Sequence, residues 1–219
     1  MYAFEQHEIF EIEVLDQLKK AGFLGSLVFG GGTMLRLCHE LPRYSVDLDF
    51  WFSRKTAYKV FFKKLGHWLG AHYELSDIKD KHATLLYEIR GGGRERKLKL
   101  EIRKEVLDRG LESKIAFSNY AAKQILVTAL SLEESAKRKL LAARERTEIR
   151  DFFDLEFLLR KGALKIPKKE KARLIDKIRH FTKNDYRVIL GSLLEKDLRD
   201  HYAKHGFTYL LNAIEEGVG

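Results

Sequence analysis

The chain has little cysteine and no long apolar run. Its single cysteine, Cys38, excludes an internal disulfide and suits a reducing compartment. No apolar run approaches the roughly 18 residues expected of a membrane span, so none is predicted. The N-terminal sequence MYAFEQHEIFEIEVL carries acids where a signal peptide would carry bases. These absences together predict a cytoplasmic location and no membrane partner.

The histidines give no indication of a zinc site. Eight histidines are scattered along the chain without a zinc-like cluster, and Cys38 has no second thiolate to accompany it. Cys38 falls on a presumed helix, so we interpret it as a packing residue rather than a nucleophile. The chain also lacks internal repeats and low-complexity segments.

What is present fits a globular protein with an acidic partner. The 219 residues can form one large domain or two small ones, and 45% of them are hydrophobic and 33% charged. Lysine and arginine outnumber aspartate and glutamate by 41 to 32, a net charge of +9. An excess of this size favours acidic partners, of which nucleic acid is the usual one.

The most informative stretch is residues 28–52, VFGGGTMLRLCHELPRYSVDLDFWF. Its last part alternates apolar and acidic residues, which is typical of a strand. Side chains at i and i+2 share one face of a strand, so Asp47 and Asp49 stand side by side. Two carboxylates this close repel each other unless a cation lies between them. Oxygen ligands alone favour a hard divalent ion such as Mg²⁺.

A glycine triplet precedes the two acids. The apolar run 27–29 predicts a strand, Gly30, Gly31 and Gly32 predict a turn, and residues 33–40 predict a helix. Such a turn lets the backbone approach a phosphate, with N–H groups and the helix N-terminus facing the anion. Thr33 can cap this helix or contact a phosphate oxygen. A phosphate cradle followed by paired carboxylates predicts metal-assisted phosphoryl or nucleotidyl transfer.

This order of motifs resembles the DNA polymerase β-like nucleotidyltransferases, and most of all their AbiEii toxin branch. The resemblance lies in a glycine pair with a hydroxyl residue, a spacer, and then R-x-S before D-x-D. Thirteen residues, 34–46, separate Thr33 from Asp47, which is at the long end of the usual spacer. The matching residues are Gly31, Gly32, Thr33, Arg43, Ser45, Asp47 and Asp49. The resemblance implies an NTP substrate and Mg²⁺ or Mn²⁺ as cofactor.

A third carboxylate is needed in this superfamily, and Glu101 is the candidate. Residues 83–89 and 97–102 both predict strands, and the glycines at 91–93 predict the turn between them. Glu101 alternates with apolar residues in the second strand, where many family members carry aspartate. The alternative interpretation is a solvent-facing edge strand with mixed charges.

A second motif follows a capping box at Ser131, which marks a helix start. We predict one helix from Leu132 through to Leu155. It carries a lysine, an arginine seven residues later, and then R-D-x-x-D-L, as in the AbiEii branch. The matching residues are Lys139, Arg146, Arg150, Asp151 and Asp154. The resemblance implies that the lysine contacts nucleotide phosphates, for which Lys137 is the alternative. Without the first motif, a charged amphipathic helix with internal ion pairs would be the preferred interpretation of this pattern.

Residues 160–187 are strongly basic, with eleven lysines and arginines against three acids. We interpret this segment as a candidate surface for the phosphate backbone of RNA. A solvated helix face is the alternative interpretation.

These observations predict an α+β protein in two parts. Residues 1–130 form a nucleotidyltransferase domain with a mixed sheet and flanking helices, and residues 131–219 form a helical bundle that closes the active-site cleft. Catalytic roles fall to Asp47, Asp49 and Glu101 as metal ligands and to Lys139. Nucleotide binding falls to Gly31, Gly32, Thr33, Arg43, Ser45, Lys139, Asp151 and Asp154.

The predicted reaction moves an NMP from an NTP to an acceptor hydroxyl. Resemblance to the AbiEii toxins implies that the acceptor is tRNA and that a cognate antitoxin restrains the enzyme. Two other classes remain open. One is a small-molecule nucleotidyltransferase of the antibiotic-modifying kind, and the other is a catalytically silent nucleic-acid-binding protein of the same fold.

Overall fold

The computed structural model describes residues 2–91 and 96–217. They form two compact units. The first comprises the residues up to Glu40 together with Tyr44–Leu130, and the second combines Leu41–Arg43 with the residues from Ser131 onward. In the described part of the chain, no helix is long and apolar enough to cross a membrane.

The first unit is built on a mixed sheet of seven strands in the order β3-β4-β5-β2-β1-β7-β6. The β2/β5 and β1/β7 pairs are parallel and the other neighbours are antiparallel. The strands are β1 (Leu27–Gly30), β2 (Asp47–Phe52), β3 (Glu74–Asp80), β4 (Thr84–Arg90), β5 (Leu98–Val106), β6 (Leu111–Ser118) and β7 (Ala121–Leu130).

Three helices accompany this sheet: α1 (Tyr2–Lys20), α2 (Gly31–His39) and α3 (Tyr58–His72). Gly22, just beyond α1, adopts a left-handed conformation with φ of 80°. A short 3₁₀ turn, Phe23–Ser26, leads into β1. The predicted mixed sheet with flanking helices is therefore confirmed.

The central strands separate a core face from a polar face. Leu48 and Phe50 of β2 and Leu100 and Ile102 of β5 are all fully buried. The acids of β2 alternate with these residues and so project from the opposite face. The predicted hairpin of β4 and β5 is confirmed by their antiparallel register. Most of its predicted turn, at residues 92 and 93, lies outside the described residues.

The second unit is helical. Its helices are α4 (Leu132–Glu145), α5 (Ile149–Arg160), α6 (Lys168–His180), α7 (Lys196–His205) and α8 (Thr208–Glu216), with a π-helical turn at Asp185–Leu190 and a 3₁₀ turn at Gly191–Leu193. The predicted helix start at Ser131 is confirmed, because its hydroxyl accepts a hydrogen bond of 3.2 Å from the backbone N–H of Glu134, whose carboxylate pairs with Lys137 and Arg138.

The prediction of a single helix from Leu132 to Leu155 is wrong. Arg146 adopts an extended backbone and ends α4, and α5 begins at Ile149. In a continuous helix, Lys139 and Asp151 would lie about 18 Å apart along the axis. In the structure their charged atoms are 3.2 Å apart. The break folds the two helices back on each other and allows this pair to form.

Candidate active site

The register of three central strands brings the glycine motif and the acids together. Gly30, at the end of β1, lies directly opposite Asp49 of β2. On its other side, Asp49 lies directly opposite Glu101 of β5. Residues opposite each other in a sheet share a face, so Asp47, Asp49 and Glu101 project to the same side. The predicted juxtaposition of the acids with the glycine turn is present.

Gly31 is the residue that Asp49 packs against. A Cβ atom at Gly31 would lie 2.1 Å from Oδ2 of Asp49, far inside van der Waals contact. The φ of Gly31 is +75°, a conformation that favours glycine. Both space and backbone conformation therefore require a glycine here. No loop separates β1 from α2, so the predicted turn is a direct strand-to-helix junction.

The first turn of α2 gives this junction its anion-binding character. The first backbone N–H groups of a helix have no partner within the helix, and the helix dipole adds positive potential at that end. Gly31 and Gly32 are the first two residues of α2. Their N–H groups are thus suited to receive phosphate oxygens beside Asp49.

Thr33 makes its contacts inside the fold. Its side chain is fully buried, and its hydroxyl donates a 2.7 Å hydrogen bond to the backbone carbonyl of Asp47. The Oε1 atom of Glu11 lies 3.3 Å from the same hydroxyl. Thr33 therefore ties α2 to the first residue of the acidic strand. Its contact with a phosphate stays a prediction.

A buried polar cluster on α1 also contacts the start of strand β2. The Nε2 atom of His7 lies 3.0 Å from the carbonyl of Val46 and 3.7 Å from the carboxylate of Glu11. Burial, and next the charge of Glu8, raise the pKa of Glu11 well above its usual value. His7 and Thr33 thus hold two consecutive backbone carbonyls at the entrance to β2. The sequence analysis missed this role of α1, although His7 and Glu11 stand one helical turn apart.

Lys99 occupies the space between two of the proposed metal ligands. Its ammonium lies 3.2 Å from Oδ2 of Asp47 and 3.6 Å from Oε2 of Glu101. Partial burial alone would lower the pKa of Lys99, but the carboxylates of Asp47 and Glu101 raise it above its usual value. Lys99 was not among the predicted site residues. The only available signal was its position two residues before Glu101.

Glu101 is not on an edge strand. Strand β5 lies between β4 and β2, so the edge position in the alternative interpretation is wrong, although Glu101 does share a mixed-charge face with Lys99. Across residues 2–91 and 96–217, no three histidine, cysteine, aspartate or glutamate side chains are arranged to hold a metal ion. Mg²⁺ is usually held by one or two carboxylates together with substrate phosphates, and metal binding by Asp47, Asp49 and Glu101 stays a prediction. The ammonium of Lys99 lies between the carboxylates of Asp47 and Glu101, so this face of the sheet accommodates positive charge.

The second motif forms a buried ion network within the helical unit. Arg43 donates two hydrogen bonds, of 2.6 and 2.7 Å, to the carboxylate of Asp154. Lys139 lies 2.6 Å from Asp154 and 3.2 Å from Asp151. Arg146 completes the network with bonds of 2.7 and 3.2 Å to Asp151. The two motif acids are fully buried.

The cations of the network affect the pKa of one of its acids. Burial alone would raise the pKa of Asp154, but the charges of Arg43 and Lys139 hold it below its usual value. Three cations accompany two carboxylates, so the network carries an excess of positive charge. The contacts of Arg43, Lys139, Asp151 and Asp154 with a nucleotide stay predictions.

Lys137 and Lys139 point to different surroundings. Lys139 belongs to the ion network and its side chain is 15% exposed. Lys137 is 75% exposed, pairs with Glu134, and lines a groove between α4 and the residues around 162–170. The geometry within the helical unit therefore favours Lys139 as the lysine of the motif. Arg150 is exposed and lies 3.9 Å from Glu148. Ser45 is partly exposed in the segment before β2.

Two solved structures share this fold. MenT4, nucleotidyltransferase toxin Rv2826c from Mycobacterium tuberculosis H37Rv, is 16% identical with a TM-score of 0.60, covering 99% of this chain and 88% of that one. JHP933 from Helicobacter pylori is 20% identical with a TM-score of 0.53, covering 94% of each chain. The predicted nucleotidyltransferase fold is thus confirmed. A comparison with curated proteins gave no match.

A family model identifies the chain more specifically than the fold does. The model described as "Nucleotidyl transferase AbiEii toxin, Type IV TA system" matches residues 13–213, which include both motifs. The predicted family is confirmed, and with it the assignment as an enzyme that transfers nucleotidyl groups. The chain belongs to the AbiEii family of nucleotidyltransferase toxins of type IV toxin–antitoxin systems.

Proposed function

We propose that this toxin is a metal-dependent nucleotidyltransferase that moves an NMP from an NTP to a hydroxyl group of RNA. The observation that carries the proposal is the packing of Asp49 against Gly31, with Asp47 on the same face of the strand. This arrangement puts paired carboxylates beside the start of α2, where phosphate oxygens bind well. Metal and triphosphate then have adjacent sites on one rigid part of the sheet.

In the proposed reaction, the acceptor hydroxyl oxygen forms a bond to the α-phosphorus of the NTP. The bond between the α-phosphorus and the α,β-bridging oxygen breaks, and pyrophosphate leaves. The proton of the hydroxyl passes to a carboxylate, for which Glu101 is our candidate because it lies beside Asp49. The N–H groups of Gly31 and Gly32 bind the β- and γ-phosphates, and Lys139 and Arg43 are candidates for offsetting their charge.

Asp47 and Asp49 would hold Mg²⁺ or Mn²⁺. Their side chains supply the oxygen ligands that these hard cations prefer, and Glu101 is the candidate for a further ligand. When bound, the divalent cation neutralises charge that develops on the phosphates during transfer. Ser45 precedes Asp47 by two residues and is our candidate for a further nucleotide contact.

RNA is the favoured acceptor because of the charge on the helical unit. A groove of about 710 Å³ has the exposed bases Lys137, Arg144, Lys165 and Lys169 among its lining residues. Acids also line the groove or pair with its bases, as Glu170 does with Arg144 and Glu134 with Lys137. Lys165 and Lys169 belong to the 160–187 segment, and we propose the groove as the part of that segment's surroundings that contacts RNA. We further propose that the RNA acceptor is tRNA, that the enzyme acts in the cytoplasm, and that a cognate antitoxin restrains it.

The test is transfer of label from each of the four NTPs, α-³²P-labelled, with Mg²⁺ and either total RNA or an aminoglycoside as acceptor. The proposal expects labelled RNA with the wild type and at least a 100-fold loss with Asp47→Ala or Asp49→Ala. The control Asp77→Ala removes a partly exposed carboxylate paired with Lys79 and should leave transfer intact. Label on the aminoglycoside alone would favour the antibiotic-modifying alternative. No transfer and no NTP-dependent thermal shift would favour the catalytically silent one.

A further inference from the structure

The ammonium of Lys99 has a particular place on the sheet. Lys99 lies directly opposite Asp47 across the β2/β5 pair, and Glu101 follows it on the same face of β5. The nitrogen is 3.2 Å from Asp47 and 3.6 Å from Glu101. The three side chains are between 25% and 35% exposed, so solvent screens their charges incompletely. A cation supplied by the protein thus lies among the carboxylates that would bind a divalent ion.

We propose that Lys99 is a built-in counter-cation that competes with the divalent cation for the carboxylates of Asp47 and Glu101. The inference rests on the proposed metal-dependent function and concerns the same site. In the metal-free enzyme, the ammonium offsets repulsion among the carboxylates. Its charge disfavours a second cation on the same oxygens, so a metal must displace it. Lys99 therefore weakens metal binding in the absence of NTP.

The neighbouring strand β4 offers a third carboxylate to Lys99. Glu88 of β4 lies directly opposite Lys99 on the other side of β5. Its carboxylate pairs with Lys97 at 2.6 Å and accepts a hydrogen bond from Ser76 at 2.8 Å. When a metal takes the oxygens of Asp47, the flexible stem of Lys99 can turn its ammonium towards Glu88. The displaced ammonium of Lys99 would therefore still have an acidic neighbour, Glu88.

This role gives Lys99→Met two opposite effects. Methionine keeps an unbranched apolar stem but removes the charge. Without metal, the carboxylates then repel each other and the protein becomes less stable. With metal, no ammonium has to be displaced and the affinity for the divalent cation rises. A lysine that served only the structure would produce the loss of stability without the gain in metal affinity.

The experiment uses the full chain, with Mn²⁺ as the probe and no nucleotide. Electron paramagnetic resonance counts free Mn²⁺ during titration of the wild type, Lys99→Met, Lys99→Arg and the control Lys114→Met. Lys114 is a matched control because its side chain is 34% exposed, lies 3.4 Å from Glu112, and belongs to β6, three strands away from β2 in the sheet. Thermal unfolding of the same proteins in EDTA measures the metal-free state.

The inference predicts that Lys99→Met binds Mn²⁺ about five- to tenfold more tightly than the wild type, as expected for loss of a partly screened charge. Its metal-free midpoint should fall by about 2–4 °C. Lys99→Arg and Lys114→Met should bind Mn²⁺ as the wild type does. Equal or weaker binding by Lys99→Met would overturn the inference, and the proposed function would stand if wild-type binding depends on Asp47. If neither protein binds Mn²⁺, with or without NTP, both proposals fail.

Discussion

At the scale of single residues, the site depends on one close approach. Gly31 leaves room for the Asp49 carboxylate, and the left-handed backbone of Gly31 turns the chain from β1 into α2. The same junction supplies both the space for the acid and the N–H groups for an anion. A side chain at this position would affect both functions at once.

We predict that Gly31→Ala lowers nucleotidyl transfer by about 100-fold or more, because a displacement of the acid by about 1 Å misaligns the reacting groups. Its Cβ would lie 2.1 Å from Oδ2 of Asp49. The control is Gly22→Ala, because Gly22 has a similar φ of +80° and no heavy atom within 4 Å of the added Cβ. Both variants should lose about 1–2 kcal/mol of unfolding free energy from the backbone conformation. Equal transfer by the two variants would contradict the role of Gly31.

Glu11 carries a second residue-scale prediction. Its raised pKa means that the native protein keeps a proton that the unfolded chain releases above about pH 4. Between the pKa of Glu11 in the unfolded chain and its higher pKa in the folded protein, the folded state binds more protons. The contribution of Glu11 to the free energy of unfolding therefore falls as the pH rises through this range. Glutamine cannot ionise and keeps an acceptor for Thr33. Glu11→Gln should therefore match the wild type near pH 4 and exceed its unfolding free energy at pH 8.

Urea unfolding of both proteins between pH 4 and pH 8 measures this difference. The comparison cancels the titration of the other groups around Glu11, namely His7, Glu8, Arg36 and Asp47. A wild type that is more stable than Glu11→Gln at pH 8 would show that the carboxyl is ionised and held by a cation.

At the scale of elements, the end of α4 is held from outside the helix. The ammonium of Lys177 on α6 donates hydrogen bonds to the carbonyls of Ala143, Arg144 and Arg146, at 2.6, 3.1 and 2.8 Å. Carbonyls at a helix C-terminus lack partners within the helix, and a cation there also interacts favourably with the helix dipole. Lys177 therefore stabilises the break between α4 and α5.

We predict that Lys177→Met costs about 1–2 kcal/mol of unfolding free energy, the range for a cation at a partly buried helix C-terminus. Amide hydrogen exchange should increase selectively at residues 143–148. Lys168→Met, at an exposed position on the same helix, should change neither quantity by more than about 0.5 kcal/mol of stability. Unchanged exchange in Lys177→Met would contradict this account of the helix end.

The elements also show what the sequence could and could not reveal. Strand β2 and the helix start at Ser131 follow local rules, alternation and capping, and both were predicted. The break between α4 and α5 was missed because residues 146–148 contain neither glycine nor proline. Its partner, Lys177, is about thirty positions away in the chain. Edge strands β3 and β6 were also missed, since their many polar residues give no clear core face.

As with the secondary structure, only the part of the site that follows local sequence rules was predictable. Asp47, Asp49 and the glycines form a local motif, so their proximity could be inferred from spacing and strand geometry. Lys99 and the His7–Glu11 cluster acquire their positions only through strand register and helix packing. No local pattern marks a buried glutamate on α1 or an ammonium between carboxylates. Long-range contacts therefore decide the part of the site that the sequence left unassigned.

At the scale of the whole molecule, the net charge of +9 leads to a prediction about RNA. We predict that replacing Lys137, Lys165 and Lys169 of the α4 groove by glutamine weakens RNA binding. Each phosphate contact that is lost lowers the number of counterions released when RNA binds. The slope of log K against log salt should become shallower by about 0.7 per contact. Glutamine at Lys59, Lys63 and Lys64 of α3 removes the same charge elsewhere and should change the slope less. Equal effects of the two triple variants would indicate attraction by net charge alone.

The most direct test of the central claim is a crystal structure with Mn²⁺ and a non-hydrolysable α,β-methylene NTP analogue. We predict an anomalous peak about 2.0–2.2 Å from carboxylate oxygens of both Asp47 and Asp49, with the triphosphate at the N-terminus of α2 beside Gly31. A Mn²⁺ peak that involves neither aspartate, or a triphosphate bound away from Gly31, would contradict it.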